Sequence, residues 1–424
     1  MKKIVLALSI VVTLNATTLL ELFDALKHHS QTKVDEMAVE KAEVYKDLAN
    51  ANLYPKINLF AKFDNYTAPT GMLPVPPDEL FAMIKDPSVG QPFSNNILRE
   101  GVNFSMPLFV KAIYTSADQA AAMQESAVAK KRINLLKNEA LIVGANANFL
   151  YLNALEKSLE AKEQSLRETH KTLQIKVDNG RASASTLYKI EDGLNQISIS
   201  KNSIKLQKEK LLSTIESITS IRLSKPIVMQ EAMGTNSENG FTSLEPLENK
   251  IKASRVAVSG QKDRLYPALL AYGSYTFSQG DAYNNGKRVN EEYGNIGIVL
   301  NIPLLSMGQY SQITKAKIEL QSNELELQKE HDTLSAKAKM LENSLPLLQN
   351  SIDLSQQSIK NKDKLLKIAK INYKSGRLST EEYLRYEDDV VSAKAKYYQA
   401  KAQRWQTFME LAVIYGNNIE EMVK

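Results

Sequence analysis

The amino-acid sequence contains one pattern twice, and this internal repeat limits the folds that the chain can adopt. Pro107 and Pro303 are 196 residues apart (303 − 107), and Gly180 and Gly376 keep the same interval. Two pairs of landmarks with one interval mean that the segment from the proline to the glycine has the same length in both copies. A period this long exceeds that of a solenoid repeat and indicates two copies of one supersecondary unit.

The two copies differ in length on the N-terminal side of Pro107 and Pro303. A Tyr-Pro pair opens each copy, at Tyr54-Pro55 and at Tyr266-Pro267, but the pair lies further from the following proline in the first copy. The extra residues fall in a loop rich in proline and glycine, predicted over residues 67–97. An insertion in a surface loop leaves the neighbouring elements unchanged.

The N-terminus has the pattern of an exported protein. Two lysines follow Met1, an apolar run continues to Leu14, and small residues come next, so residues 1–16 are interpreted as a secretory signal peptide. After it no run of about 18 apolar residues occurs, so a mature chain that crosses a membrane would have to do so as a β-barrel. The chain has no cysteine, which excludes disulfides and thiolate chemistry. Its net charge of +5 is too small to indicate a nucleic-acid partner.

Two kinds of segment alternate along the chain. Long stretches rich in Ala, Leu, Lys, Glu and Gln have apolar residues in alternating steps of three and four, which predicts long coiled-coil helices that end near residues 179 and 375. Short stretches alternate apolar and polar residues, which predicts strands of about ten residues, the length of a tilted transmembrane β-strand. The predicted strands lie near residues 56–65, 100–109, 268–277 and 293–302.

The domain organisation follows from these elements. Each repeat is predicted to contain an entry helix, two strands, a long helix, a tight turn and a return helix. The first repeat covers residues 17–225, a linker covers 226–242, and the second repeat covers 243–424. The fold class is therefore mainly α with a small β part, built as a duplicated strand hairpin plus a long helical hairpin.

This ordered set resembles the TolC family of outer-membrane efflux channels: Tyr-Pro strand entries, a proline after the second strand and a glycine at the far turn. The resemblance covers essentially the whole mature chain. It implies a homotrimer whose 12 strands close a barrel against outer-membrane lipid, continued by an α-helical tunnel with a large periplasmic portion. It also implies an exit duct that works with a periplasmic adaptor protein and an inner-membrane pump or ABC transporter, in efflux or in type I secretion.

The two far turns are the first candidate site. From the residues alone, each turn has a C-cap glycine in the left-handed conformation and an N-cap serine that starts the next helix. The resemblance adds that these tips dock the adaptor. The candidate docking residues are Gly180, Arg181, Ala182, Ser183, Gly376, Arg377, Leu378 and Ser379.

The second candidate site is an aperture in the second repeat. By resemblance, Tyr373, Glu382 and Arg385 occupy the positions that narrow the periplasmic end in some family members, although Arg385 departs from the acid found there. The alternative is that Glu382 and Arg385 form an ordinary solvated ion pair. The pairs Glu191-Asp192 and Glu387-Asp388 recur at the repeat interval and are interpreted as solvated faces or salt-bridge partners.

No catalytic role is predicted, because the sequence lacks a phosphate-binding glycine loop, a nucleophile elbow and the spacing of a metal site. The chain is therefore expected to be neither an enzyme nor a cofactor protein. A different class of function remains open: a periplasmic coiled-coil scaffold or adhesin without a pore. The transported substrate cannot be derived from the sequence.

Overall fold

The structure is a computed structural model that describes residues 17–235 and 240–424. The predicted signal peptide, residues 1–16, and part of the predicted linker lie outside the described residues. The described chain forms two units. The first comprises the residues up to Ala38 together with Val128–Pro246 and Leu327–Lys424, and the second comprises Val39–Ala127 and Leu247–Glu326.

Nine α-helices and four β-strands make up the regular structure of the described residues. The helices are α1 (Leu19–His28), α2 (Ser30–Ala51), α3 (Pro77–Lys85), α4 (Lys111–Asp178), α5 (Ala184–Thr219), α6 (Glu245–Asp263), α7 (Met307–Lys374), α8 (Thr380–Tyr415) and α9 (Ile419–Met422). The strands are β1 (Lys56–Gly71), β2 (Phe93–Phe109), β3 (Ala268–Asp281) and β4 (Arg288–Asn301). Within the same residues, no helix has both the length and the apolar composition needed to cross a bilayer.

The duplication inferred from the sequence is present in the helices. The long helices α4 and α7 each contain 68 residues, and the return helices α5 and α8 each contain 36. Because α4 matches α7 in length and α5 matches α8, the interval between equivalent residues of the two hairpins stays constant. This constant interval identifies the equivalent positions of the two repeats.

The four strands form one antiparallel sheet in the order β1-β2-β3-β4. They contain 14 to 17 residues each and are longer than the alternating stretches in the sequence indicate. Backbone pairing continues into polar segments, for example at Asn65 opposite Asn96, where no apolar alternation marks a strand. The long loop of the first repeat is correspondingly shorter than 67–97 and contains α3.

The sheet has one apolar face and one polar face. Leu59, Val102 and Tyr275 pair directly across three strands and therefore share a face. The next row on the opposite face is Asn58, Asn103, Ser274 and Asn295. Large side chains of the apolar face are left exposed on both outer strands: Ile57, Leu59 and Phe63 on β1, and Ile296, Ile298 and Leu300 on β4.

The first helical hairpin is held by a continuous apolar seam. Leu152, Leu159, Leu166 and Leu173 recur every seven residues on α4, and they pack with isoleucines on α5. At three equivalent positions the second hairpin has smaller buried side chains, Ala369, Ala393 and Ala400, whereas Tyr383 stands at the position of Leu187. At the three alanines less apolar area is buried than by the larger residues of the first hairpin.

Candidate functional site: helical tips and the tyrosine–carboxyl cluster

The two turns have the cap geometry that their residues predict. Gly180 and Gly376 have φ angles of 68° and 75°, the left-handed region that favours glycine. The amide of Arg181 donates to the carbonyl of Lys176 at 2.7 Å, and that of Arg377 donates to Asn372 at 2.9 Å. These bonds use carbonyls that the helix ends would otherwise leave unpaired.

The next residues start the return helices. Ser183 Oγ accepts from the amide of Ser185 at 3.2 Å, and Ser379 Oγ accepts from the amide of Glu382 at 3.2 Å. Ala182 and Leu378 are half-buried, whereas the glycines, arginines and serines of both turns are exposed. The turns therefore present polar backbone and basic side chains around one small apolar side chain each.

Glu382 has a defined structural role at the second turn. Its Oε2 accepts from the amide of Ser379 at 3.0 Å, which completes a capping box with the bond from the Glu382 amide to Ser379 Oγ. The hydrogen bonds from Ser379 hold the pKa of the Glu382 carboxyl below its ordinary value, with a smaller contribution from Arg385. The side chain thus starts α8 whether or not it also faces an aperture.

Tyr373 lies beside the same turn. Its ring stacks on that of Tyr383 with centroids 4.8 Å apart, and Thr380 Oγ1 donates to its hydroxyl at 3.4 Å. Arg385 is exposed. The ion pair with Lys189 on α5 lowers the pKa of Glu381, and Arg385 adds a smaller contribution. The structure therefore places Tyr373, Glu382 and Arg385 at one end of the second hairpin.

A buried cluster next to this turn is missing from the sequence-based sites. The hydroxyl of Tyr383 donates to Glu387 Oε1 at 2.7 Å, and Ser165 Oγ on α4 lies 3.0 Å from the same hydroxyl. Tyr383 is 3% exposed and Glu387 is 5% exposed. The sequence-based interpretation of Glu387 as a solvated or salt-bridged residue is wrong, because Tyr383 and Ser165 enclose it.

The equivalent position in the first repeat differs. Glu191 is only half-buried and lies 3.1 Å from His170. Leu187 occupies the place of Tyr383, so the position equivalent to Tyr383 has no phenol hydroxyl to pair with Glu191. The spacing of the repeat identifies Glu191 and Glu387 as equivalent, but only the identities of Leu187 and Tyr383 distinguish their environments.

The second repeat carries the sequence relationship to known proteins. Residues 242–417 match the model of the outer membrane efflux protein family. The match covers nearly all of the second repeat and less than half of the chain. No curated protein sequence matches the chain.

Solved structures share the fold over nearly the whole chain. The outer membrane channel CmeC of Campylobacter jejuni is 17% identical, with a TM-score of 0.78 over 94% of this chain and 85% of CmeC. The outer membrane protein VceC of Vibrio cholerae is 16% identical, with a TM-score of 0.74 over 95% of this chain and 96% of VceC. The open state of the MtrE channel of Neisseria gonorrhoeae is 15% identical, with a TM-score of 0.73 over 95% of this chain and 89% of MtrE. The structural similarity to these channels therefore extends over the first repeat of this chain, which lies outside the residues matched by the family model.

Proposed function

We propose that three copies of this chain form a closed outer-membrane duct that exports molecules received from a periplasmic adaptor. The observation that carries this proposal is the amphipathic sheet with two open edges. In the described residues β1 pairs only with β2, and β4 pairs only with β3. Unpaired backbone groups are not tolerated in hydrocarbon, so a membrane-embedded sheet of this kind needs neighbouring copies.

Three copies supply the missing partners. The open edge of β4 in one copy would pair with the open edge of β1 in the next, which gives 12 strands without an edge. The apolar face of the sheet would then contact lipid, and the row of Asn58, Asn103, Ser274 and Asn295 would line a water-filled lumen. This arrangement explains why large apolar side chains of β1 and β4, such as Leu59 and Ile296, are exposed.

The long helices also have an unpartnered surface that suits neighbouring copies. Met340, Leu347 and Leu354 recur every seven residues on α7 and are all exposed; Asn361 interrupts the series, and Ile368 resumes it. An apolar heptad stripe is typical of a helix that packs against another helix. The α7 stripe therefore supports an assembly in which helices of adjacent copies form a tunnel wall.

Partner binding is proposed for the tips. Gly180–Ser183 and Gly376–Ser379 would dock a periplasmic adaptor, which connects the duct to an inner-membrane pump or to the ABC transporter of a type I secretion system. The exposed arginines and the half-buried Ala182 and Leu378 offer a mixed polar and apolar contact at each tip. Energy would come from the inner-membrane partner, and the chain itself would act as a passive, non-enzymatic duct.

Opening is proposed to involve mainly the second hairpin. Ala369, Ala393 and Ala400 take the places of larger apolar residues of the first hairpin, so a change in packing at these positions exposes less apolar area. Tyr373, Glu382 and Arg385 lie at the end that would move and are proposed to form the aperture. Adaptor binding at the tip would favour the open packing.

Fractionation combined with crosslinking tests this function. We expect the protein in the outer-membrane fraction, as a trimer, and crosslinked to a co-expressed adaptor from a photoreactive residue at Leu378. A photoreactive residue at the exposed Ser392 of α8, further from the turn, is the matched control and should give no adaptor adduct. Recovery as a soluble periplasmic monomer would contradict the proposal and favour the scaffold or adhesin.

A further inference from the structure

One carboxyl oxygen of Glu387 has no hydrogen-bond partner, although the side chain is almost fully buried. Oε1 accepts from Tyr383, but Oε2 has no partner among the described residues. The free-energy penalty of burying a carboxylate oxygen without a donor is larger than the net stabilisation that an ordinary hydrogen bond contributes. Such a group persists in a native structure when a further partner or a bound proton stabilises it.

The surroundings of Glu387 join the two repeats. Ser165 belongs to α4 of the first repeat, and Tyr383 and Glu387 belong to α8 of the second. Lys162 on α4 also forms an ion pair with Asp388 on α8. The cluster and this ion pair therefore connect the return helix of the second hairpin to the long helix of the first.

Glu387 faces a cleft of about 470 Å³ between α4, α7 and α8. The charged and titratable groups around it are Lys162 from α4, Asp363, Lys367 and Lys370 from α7, and Tyr383 and Lys394 from α8. Lys162 is occupied by Asp388, whereas Lys370 makes no ion pair within the described residues. Burial raises the pKa of the Glu387 carboxyl above its ordinary value, and it outweighs the polar contacts with Ser165 and Tyr383 and the charges of the two lysines, all of which favour the ionised form.

We infer that Glu387 is a proton-controlled latch: in its neutral form it holds α8 against α4, and on losing its proton to solvent it releases the tip of the second hairpin. The neutral carboxyl keeps the bond from Tyr383 without placing a charge in the packing. The ionised carboxylate leaves Oε2 charged and unpaired, so a packing that brings water or Lys370 to it becomes more favourable. The link to duct opening rests on the proposed function, whereas the latch itself does not.

The sign of the pH dependence follows from the raised pKa. Because the closed packing binds the proton more tightly than an open, hydrated one, closure is favoured at low pH and weakens as the pH rises through the raised value. Tyr383 stays a donor over this range, since burial raises its own pKa to about 12. The half-buried Glu191 of the first repeat lacks this environment and should not act in the same way.

Distance measurements with spin labels test the latch directly. The chain has no cysteine, so labels at Glu168→Cys on α4 and Ser392→Cys on α8 need no background substitutions. Labelled chains are mixed with excess unlabelled chains, and the distance distribution is recorded between pH about 5 and about 8, where neither Lys nor Tyr titrates with an ordinary pKa. We expect one short-distance population at low pH and its progressive loss to longer distances as the pH rises.

Three variants isolate the contribution of Glu387 to this titration. Glu387→Gln should keep the short-distance population at every pH, whereas Glu191→Gln, the equivalent change in the first repeat, should titrate as the natural sequence does. Tyr383→Phe should lose much of that population even at low pH, which keeps the test decisive if Glu387→Gln fails to fold. A distribution that does not change with pH, or one that still titrates in Glu387→Gln, would overturn the inference. If the protein conducted no ions, the proposed duct function would be contradicted, but the pH dependence of the distances between the spin labels would still test the latch.

Discussion

The hydroxyl of Tyr383 donates to Oε1 of Glu387 at 2.7 Å, and this bond lies inside the helix packing of the second repeat. Because both groups are buried and have lost their hydrogen bonds to water, they stabilise the fold only while they remain hydrogen-bonded to each other. The pair replaces the leucine and the half-exposed glutamate of the first repeat. The second hairpin thus depends on a polar contact where the first depends on apolar packing.

Removal of this phenol hydroxyl is expected to destabilise the protein. Tyr383→Phe removes the hydroxyl that donates to Oε1 of Glu387, and leaving a buried polar group without its partner lowers the free energy of unfolding by about 1–3 kcal/mol. The free energy of unfolding from denaturant titration measures the loss. Tyr386→Phe, a half-buried tyrosine one turn further along α8, is the control and should change this free energy by much less.

A second buried carboxyl gives the stability of the first unit a defined pH dependence. Glu139 on α4 is 3% exposed, and burial together with the nearby Glu420 raises its pKa to about 7, while Lys27 opposes the shift. The folded state therefore binds this proton more tightly than the unfolded chain. Its contribution is complete at low pH and is lost as the pH rises from about 4.5 through about 7.

Glu139→Gln should remove this pH dependence. The raised pKa of Glu139 corresponds to a loss of roughly 3 kcal/mol in the free energy of unfolding when the carboxyl ionises. Glutamine does not ionise, so above pH about 8 the variant should unfold at a higher denaturant concentration than the natural sequence. Near pH about 4 the two should be similar. Glu168→Gln, at an exposed position on the same helix, should keep the original profile, and a natural sequence whose stability does not fall over this range would contradict the assignment.

Glu382 can be tested for its two roles separately. Glutamine keeps an accepting oxygen at the third helical position, so Glu382→Gln preserves the capping box with Ser379 and removes only the charge. Glu382→Ala removes both and should destabilise the start of α8 by about 1 kcal/mol. If Glu382 lies at the aperture, both variants should raise single-channel conductance. If only the alanine variant alters the channel, the residue acts through the cap alone.

The two faces of the sheet give a further prediction. Ile298 lies on the apolar face of β4 and Val299 on the polar face. A charge on a lipid-facing strand near the centre of the membrane is unfavourable by about 2–4 kcal/mol. Ile298→Arg should therefore reduce assembly and heat stability of the trimer, measured by electrophoresis without boiling. Val299→Arg should assemble as the natural sequence does, and equal effects of both variants would contradict the assignment of the faces.

Much of the fold follows from the sequence because it rests on repeated and local patterns. The equal interval between Pro107 and Gly180 and between Pro303 and Gly376 predicts helices of equal length. The glycine and serine of each turn predict its caps, since these depend on backbone conformation and on residues three or four positions away. The predicted strands are too short because Asn65 and Asn96 pair through the backbone, which leaves no trace in side-chain alternation.

The buried cluster of Ser165, Tyr383 and Glu387 could not be predicted from repeated or local sequence patterns. Glu387 follows the helix turn in the same way as Glu191, and nothing adjacent in the chain separates a buried carboxyl from an exposed one. Its environment depends on Ser165, which is distant along the chain and belongs to the other repeat. The one available indication is that Tyr383 replaces an apolar residue of the first repeat, which places a hydrogen-bonding group on a buried seam.

The central claim is that this chain forms a conducting pore from three copies, and planar bilayer recording of the purified outer-membrane complex tests it most directly. We expect discrete, uniform conductance steps from a complex with three times the mass of one mature chain, and larger steps when the aperture charge is removed in Glu382→Gln. A complex of that composition that inserts into the bilayer without conducting, or a preparation that remains monomeric and never inserts, would contradict the account.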